Sequence, residues 1–443
     1  MKMVNEKVSG ISVIDAPAMR PRLAARPSAC NVTVDGVGMS VVVIDDLTAL
    51  EKYIPAWEDL AANAIEPNAF YEPWMMMPAI RTFGEGRRLQ FALVLAHEPA
   101  RRNGAPLLCG IFPLEQQKHY QGLSRKLPFK TLRLWKHKYC YLCTPLVREG
   151  YGQQVIAAFF DWLDAGSHDC SLMEFRFITG DGPFNGLLIN YFERHAKLHY
   201  ISMYFLRALF RPTIDADTYL CAALSAKHRR IFRRKERHLS EIGRLEYDAL
   251  TPDDDVAVWI EEFLQLEASG WKGRENSAIA SDESDRSYFE TIAKEAFRRG
   301  RLSMRALRLD GRPIAYKCDF PAGRGVFTFR IAFDENYARN SPGMLLEIEN
   351  LRRHYAQSRI AWVDSCNDSF SSLFNRLWLE RRTIQDVVVG AGKFWGDWVV
   401  ASIPLLKLLN RKLLRRDAYG SRNRTGERMR EEYNSDGESP GQY

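Results

Sequence analysis

Apolar side chains fill SVVVID, residues 40–45, and then recur at Leu50, Tyr53, Ile54, Trp57 and Leu60. The second spacing follows the ~3.6-residue turn of a helix, so a strand followed by an amphipathic helix is predicted. PWMMMPAIRTF predicts a second helix, and LQFALVLA, a turn at Asn103-Gly104 and PLLCGIFPLEQ predict a strand hairpin. A helix is expected over QQVIAAFFDWL, then strands over SLMEFRFI and HYISMYFLRALF, closing a mixed α/β unit near Arg211.

The pattern then breaks. KHRRIFRRKERHLSEIGRLEY (227–247) carries Lys227, Arg229, Arg230, Arg233, Arg234, Lys235, Arg237 and Arg244 against Glu236, Glu241 and Glu246. With Ile231, Leu239 and Ile242 as an apolar face it reads as a basic helix. Beyond it the earlier order returns. One helix runs through Val256, Trp259, Ile260, Phe263 and Leu264, and another through Tyr288, Phe289, Ile292, Ala296 and Phe297, closed by Gly300. RLSMRALRL, the Asp310-Gly311 hairpin signal, RPIAYKCDF and VFTFRIAF then predict consecutive strands. Two halves of roughly 170–180 residues share one plan without obvious sequence identity, the mark of an internal structural duplication.

At 443 residues the chain suits two or three domains of roughly 150 residues each. A 46% hydrophobic share with 26% charged residues can bury a large core and excludes a mainly disordered chain. The expected division is a disordered segment over 1–38, a first half over 39–211, a basic linker helix over 212–250, a second half over 251–394, an amphipathic basic helix over 395–416 and a disordered tail over 417–443. The net charge of +7 suits an anionic ligand, a membrane surface or nucleic acid alike and selects none of them. Eight Cys without a disulfide framework, a start that lacks the apolar core of a signal peptide, and no run of about 18 apolar residues point to a cytoplasmic protein with no spanning helix.

The most informative stretch is VFTFRIAFDENYARNSPGMLLEIENLRRH. Alternation puts Val326, Thr328, Arg330 and Ala332 on one strand face and Phe327, Phe329, Ile331 and Phe333 on the other, and Leu345, Leu346, Ile348 and Leu351 point a helix inward. Ser341 reads as the N-cap and Pro342 as the first helical residue. A fresh helix start gathers free N–H groups and a positive dipole, and Arg339 and Gly343 would let a phosphate approach. On local chemistry alone a plain turn is the better explanation of the corner, since Pro at the first helical position is common at any helix start.

The order of helix pair, hairpin, strand, corner, helix and strand resembles the GNAT acyltransferases, over about residues 40–395. FLQLEASGWKGR (263–274), FDENYARNSPGMLL and the basic KHRRIFRRKERHLSEIG segment are similar to its BioF2-like or CelD-like branch, and the tandem arrangement is similar to the FemABX peptidoglycan aminoacyltransferases. The fold this implies is α/β with a mixed sheet, two tandem GNAT-like halves joined by a basic helix. The implied reaction moves an acyl group from acyl-CoA, acetyl-CoA or longer, to an amine or hydroxyl acceptor, as in polysaccharide or cell-envelope synthesis, in a bacterial-type enzyme. The acceptor would be a small molecule or glycan precursor. Two alternatives stand beside this: a FemABX-like transferase that uses aminoacyl-tRNA, the one reading in which nucleic acid is a partner, and a catalytically silent scaffold.

The resemblance implies coenzyme contacts from the backbone of Ile331, Ala332 and Phe333 and from Arg339, Asn340, Ser341, Gly343 and Met344. The family loop carries small residues where Pro342 and Met344 stand. Asp364 becomes a candidate base, with a capping or salt-bridged Asp the equal alternative. Glu267, Trp271 and Lys272 become candidate acceptor contacts, against a packed Trp and a solvated Lys. In the helix where many of these enzymes place a Tyr acid, SFSSLFNRLW has Phe370 and Phe374, with Cys366, Ser371 and Ser372 as weaker donors. In the first half, LVREGYGQQVIAAFF with Gly150 and Gly152 comes nearest to such a loop, so that half reads as scaffold or acceptor cleft.

Other patterns carry less. Cys140 and Cys143 lack a second pair and read as buried thiols, with His137 structural, so no metal is expected. WGDWVVASIPLLKLLNRKLLRR (395–416) suits peripheral contact with the inner membrane and equally suits docking on the protein's own surface.

Overall fold

The predicted strands join one mixed sheet in the computed structural model, which describes residues 30–34, 37–97, 106–120, 129–166, 168–212, 215–356, 360–367, 372–392, 396–406 and 408. The first half contributes β1 (Cys30–Val34), β2 (Val37–Ile44), β3 (Leu89–His97), β4 (Leu107–Gln117), β5 (Thr131–Leu134), β6 (Leu146–Val147), β7 (Leu172–Thr179) and β8 (His199–Phe210). The second contributes β9 (Leu245–Ala249), β10 (Ser303–Leu309), β11 (Arg312–Ala322), β12 (Gly325–Phe333), β13 (Trp362–Asp364) and β14 (Glu380–Gly390). Their order across the sheet is β1-β2-β3-β4-β5-β7-β14-β8-β13-β12-β11-β10-β9, with β6 paired to β4.

The duplication is visible in the pairing. β2 to β5 form an antiparallel run that ends on a parallel β5–β7 pair, and β9 to β12 form a second that ends on a parallel β12–β13 pair. Each run takes a helix pair after its first strand: Ile54–Ala62 and Pro73–Phe83, then Val256–Ser269 and Glu283–Arg298. The halves are not separable in sequence. β14, near the end of the chain, inserts between β7 and β8 and pairs antiparallel with both. β8 in turn passes Leu209 and Phe210 on to β13.

Three expected boundaries shift. Cys30–Val34 lies inside the segment expected to be disordered over 1–38 and forms a hairpin with Val37–Ile44, the strand expected from residue 40. Leu245–Ala249 is the edge strand of the second half's part of the sheet rather than part of a linker. The strand expected over SRIAWVDSC is confined to Trp362–Asp364. The Asn103-Gly104 turn, most of the segment over 1–38 and the tail over 417–443 lie outside the described residues.

A single apolar core crosses the junction: Phe70 of the first half meets Phe327 of β12 edge-on at 5.3 Å. Phe83 reaches Tyr288 at 5.0 Å, where helix Pro73–Phe83 lies on helix Glu283–Arg298. Phe70 and Phe327 are fully buried and contribute about 1.5–3 kcal/mol each, so this contact fixes the halves against each other more firmly than the ion pairs at the rim, such as Arg299–Glu58.

Candidate active site at the parting of β12 and β13

β12 and β13 pair in parallel only at Gly325↔Trp362, Val326↔Val363 and Phe327↔Asp364. β13 ends there while β12 runs on to Phe333, so the two strands part and leave a slot. On its other edge β12 stays paired with β11, with Cys318 opposite Arg330 and Asp319 opposite Thr328, leaving Phe329 unpaired as a bulge. The regular alternation expected along this strand therefore fails. Phe329 and Arg330, consecutive residues, both reach Tyr139, the ring at 5.8 Å and the guanidinium at 5.6 Å.

Past the bulge the Asp334 N–H donates to the Ile314 carbonyl at 2.9 Å. Ladder alternation then turns the backbone of Ala332 into β11 and that of Ile331 and Phe333 away from it. Ala332 is thus withdrawn from the expected coenzyme contacts, and Ile331 and Phe333 face the slot. The Ile331 carbonyl accepts from Lys272 Nζ at 3.2 Å.

At the corner, Glu335–Asn340 is a short 3-10 turn and Pro342–Ala356 the following helix. Ser341 is not a conventional N-cap: its φ of 53° is left-handed, and its hydroxyl accepts from Lys235 Nζ at 2.6 Å. The Met344 and Leu345 amides donate to the Ser341 carbonyl at 3.0 and 3.1 Å. Met344, with its amide used and its side chain buried, is therefore no anion ligand. Gly343 keeps its amide without an acceptor among the described residues, and Leu373 lies over it, 3.5 Å from where a Cβ would stand. Arg339 is exposed and Asn340 half-buried beside it. Lys235 and Arg339 thus set two cations by a helix start whose dipole also favours an anion. In charge and donors the corner fits a pyrophosphate, provided Leu373 moves aside.

The loop beyond helix Val256–Ser269 closes one wall. Glu267 is 2% exposed, accepting from Lys272 Nζ at 2.8 Å and from the Ile279 N–H at 2.9 Å, with Arg330 at 3.8 Å. Burial lowers the Lys272 pKa against the pull of Glu267. Trp271 is the exposed member, its N–H donating to Glu335 Oε1 at 2.7 Å. The alternative of a packed Trp and a solvated Lys is therefore reversed: Trp271 is exposed and Lys272 is half-buried on Glu267.

The opposite wall comes from the first half, expected to be scaffold or acceptor cleft, but through residues the sequence did not single out. There β5 and β7 also part, but chain 135–145 fills the gap: the Cys143 N–H donates to the Phe177 carbonyl at 2.9 Å, and Asn68 Nδ2 holds the Leu142 and Thr144 carbonyls at 3.1 and 2.8 Å. This plug carries Tyr139 and Tyr141 to the second half. Tyr141 is half-buried, 5.8 Å from Phe329, and Arg330, Cys366 and Glu267 are close enough to bias its ionisation. Burial pushes its phenol up to about 12, partly offset by Arg330.

Asp364 lies under the slot, fully buried. Its Oδ2 accepts from Arg207 at 2.6 Å and from Arg382 at 2.9 Å, and its Oδ1 accepts from the Cys366 N–H at 2.9 Å. Burial alone would raise this carboxyl, but the two guanidiniums hold it below its usual range. With every oxygen engaged it is a joint between β8, β13 and β14 rather than a base. Cys366 is buried and its thiol pushed well up, so it is a poor donor; Phe374 is core, while Phe370, Ser371 and the side chain of Ser372 fall outside the described residues.

Residues 226–369 match the family model of the acetyltransferase (GNAT) domain. The match takes in the basic helix, β9 to β13, the corner and Asp364. No curated protein matches the chain. Among solved structures, FemX is 10% identical, covering 81% of this chain and 98% of its own at a TM-score of 0.49. The C-terminal domain of a putative lysylphosphatidylglycerol synthetase from Agrobacterium fabrum is 11% identical, covering 80% and 97% at a TM-score of 0.45. A tandem GNAT protein from the clavulanic acid biosynthesis pathway is 17% identical, covering 80% and 99% at a TM-score of 0.39.

Elsewhere, Cys140 and Cys143 lie buried with sulfurs 3.7 Å apart, and among the described residues no group of three His, Cys, Asp or Glu could hold a metal. His137 is stacked on Phe83 at 5.2 Å, its pKa lowered to about 3 by burial. Residues 396–406 are helical and dock through Val399, Val400 and Ile403 onto Tyr120, Leu172 and Val388, leaving Trp398, Leu405 and Leu408 exposed. No helix among the described residues is long and apolar enough to cross a membrane.

Proposed function

We propose that the protein transfers an acyl group from acyl-CoA to an amine or hydroxyl of a small-molecule or glycan-precursor acceptor, at the slot between β12 and β13. The observation that carries this reading is the parting of the strands beyond Phe327 and Asp364, with a helix start flanked by Lys235 and Arg339 whose Gly343 lies against Ile331 and Phe333. The matched acetyltransferase model over 226–369 supports it.

In this reading the corner takes the diphosphate and the Ile331 and Phe333 backbone lines the pantetheine. An N–H aimed at a thioester oxygen polarises it, and holding donor and acceptor in line supplies much of the rate. The acceptor nitrogen or oxygen bonds the acyl carbon, the carbon–sulfur bond breaks, the departing thiolate takes a proton from an acid, and the proton shed by the acceptor restores that acid. In this reading Tyr141, protonated at neutral pH, supplies that proton, Arg330 orients the acceptor, and Glu267 holds Lys272 and Arg330 in the wall. The BioF2-like or CelD-like affiliation and a role in polysaccharide or envelope synthesis belong to the same proposal, as does contact of the 396–406 helix with the inner membrane surface.

Titration calorimetry with acetyl-CoA and longer acyl-CoAs tests it. Saturable binding below millimolar ligand is expected, and none at millimolar ligand sinks it. Activity that survives RNase treatment is expected as well; loss of activity on that treatment would favour aminoacyl-tRNA as donor.

A further inference from the structure

Away from the slot, a cavity of ≈ 330 Å³ lies between helices Ala216–Ala223, Ala226–Ile242 and Pro342–Ala356. That is near the lower end of the roughly 300–1,000 Å³ of small-ligand sites. We propose that it binds an anionic amphiphile, an alkyl or acyl chain ending in a carboxylate or phosphate, independently of the acyl-transfer reading.

The floor is apolar: Leu220, Leu224, Phe232, Leu345 and Ile348 line it, each no more than 9% exposed. The rim carries Arg229, Arg233 and Arg352. Arg229 donates to the Leu224 carbonyl at 2.6 Å and the Cys221 carbonyl at 3.3 Å, which aims its guanidinium without a carboxylate. Arg352 stands 3.6 Å from Glu349, and Arg233 has no ion-pair partner among the described residues. Two carboxylates also line the cavity. Glu236 is occupied by the Tyr247 hydroxyl at 2.7 Å, and Asp217 sits in the first turn of its helix, where the dipole already favours it.

An inorganic anion would have no use for the floor, and a neutral hydrocarbon none for the guanidiniums. A guanidinium fork matches carboxylate and phosphate oxygens, while the floor repays burial of the chain. The corner at Ser341 contributes no lining residue, so the cavity is separate from the diphosphate cradle.

Dodecyl phosphate, kept below its micellar concentration, is the probe for the full-length protein. Calorimetry should give one saturable site, with inorganic phosphate and dodecanol each at least tenfold weaker. Arg233→Glu, at an exposed position, should weaken binding at least tenfold, and Leu345→Trp should abolish it by filling the floor. Cys221, exposed at the rim, should be alkylated at least fivefold more slowly with the probe bound, read by mass spectrometry. If Leu345→Trp fails to fold, Arg233→Glu and the Cys221 footprint still decide. No saturable binding up to 1 mM, binding that neither variant changes, or displacement of the probe by acetyl-CoA would overturn the proposal.

Discussion

Lys235, on the basic helix, donates to the hydroxyl of Ser341 at 2.6 Å, binding a segment that reads as a linker to the corner that reads as a ligand site. The basic helix is thereby part of the site. Lys235→Ala should weaken acetyl-CoA binding about tenfold, or ~1.4 kcal/mol. Gly343→Ala should leave the fold intact, since its new Cβ would meet Leu373, Ile331 and Phe333 at 3.5–3.9 Å, whereas Gly343→Leu should abolish binding. Calorimetry on the three variants checks this, and equal affinity throughout would remove the corner from the site.

Asp364→Ala would leave Arg207 and Arg382 buried without their shared anion, so a loss of about 3–5 kcal/mol is expected in denaturant unfolding. The pH dependence follows from the direction of its shift. Its folded pKa lies below the unfolded value of about 3.9, so the carboxylate's contribution is complete above that value. It should fade as pH falls through the lower, folded value, and the variant should lack this acid limb.

Tyr141→Phe removes the hydroxyl and keeps the ring against Phe329. A lost general acid lowers turnover by about 10²–10⁴-fold, so kcat should fall by at least about 10²-fold while acetyl-CoA affinity stays unchanged. A fall in affinity with unaltered kcat would make Tyr141 a wall and not a proton donor.

Trp398 and Leu405 are 62% and 58% exposed on a helix whose other face is docked. Replacing both by Glu should reduce co-sedimentation with anionic vesicles about tenfold without changing thermal stability, as expected for interfacial apolar side chains. Equal sedimentation of the variant would leave the helix a surface brace.

Periodicity made most strands and the helix pairs legible, because each depends on residues a few positions apart. The bulge at Phe329 was hidden by an alternation that looks unbroken, and only the β11 register reveals it. Asp364 could not be placed because its partners, Arg207 and Arg382, lie on β8 and β14, strands of the other half and of the chain's end that sequence alone does not bring beside β13. Tyr141 was missed for a similar reason: nothing local says that a loop plugging one half will face the slot of the other. Glu267, Trp271 and Lys272 were singled out by the resemblance alone, and neither the return of Lys272 onto Glu267 nor the burial of that pair was legible from their spacing.

The insertion of β14 between β7 and β8 also sets the order in which the molecule is completed. The first half's sheet keeps an open seam until residues 380–390 have left the ribosome, so neither half is finished before the chain is nearly whole. A gene cut between the halves would yield two fragments that each lack a strand held by the other, so the repeated plan is completed only when both are present.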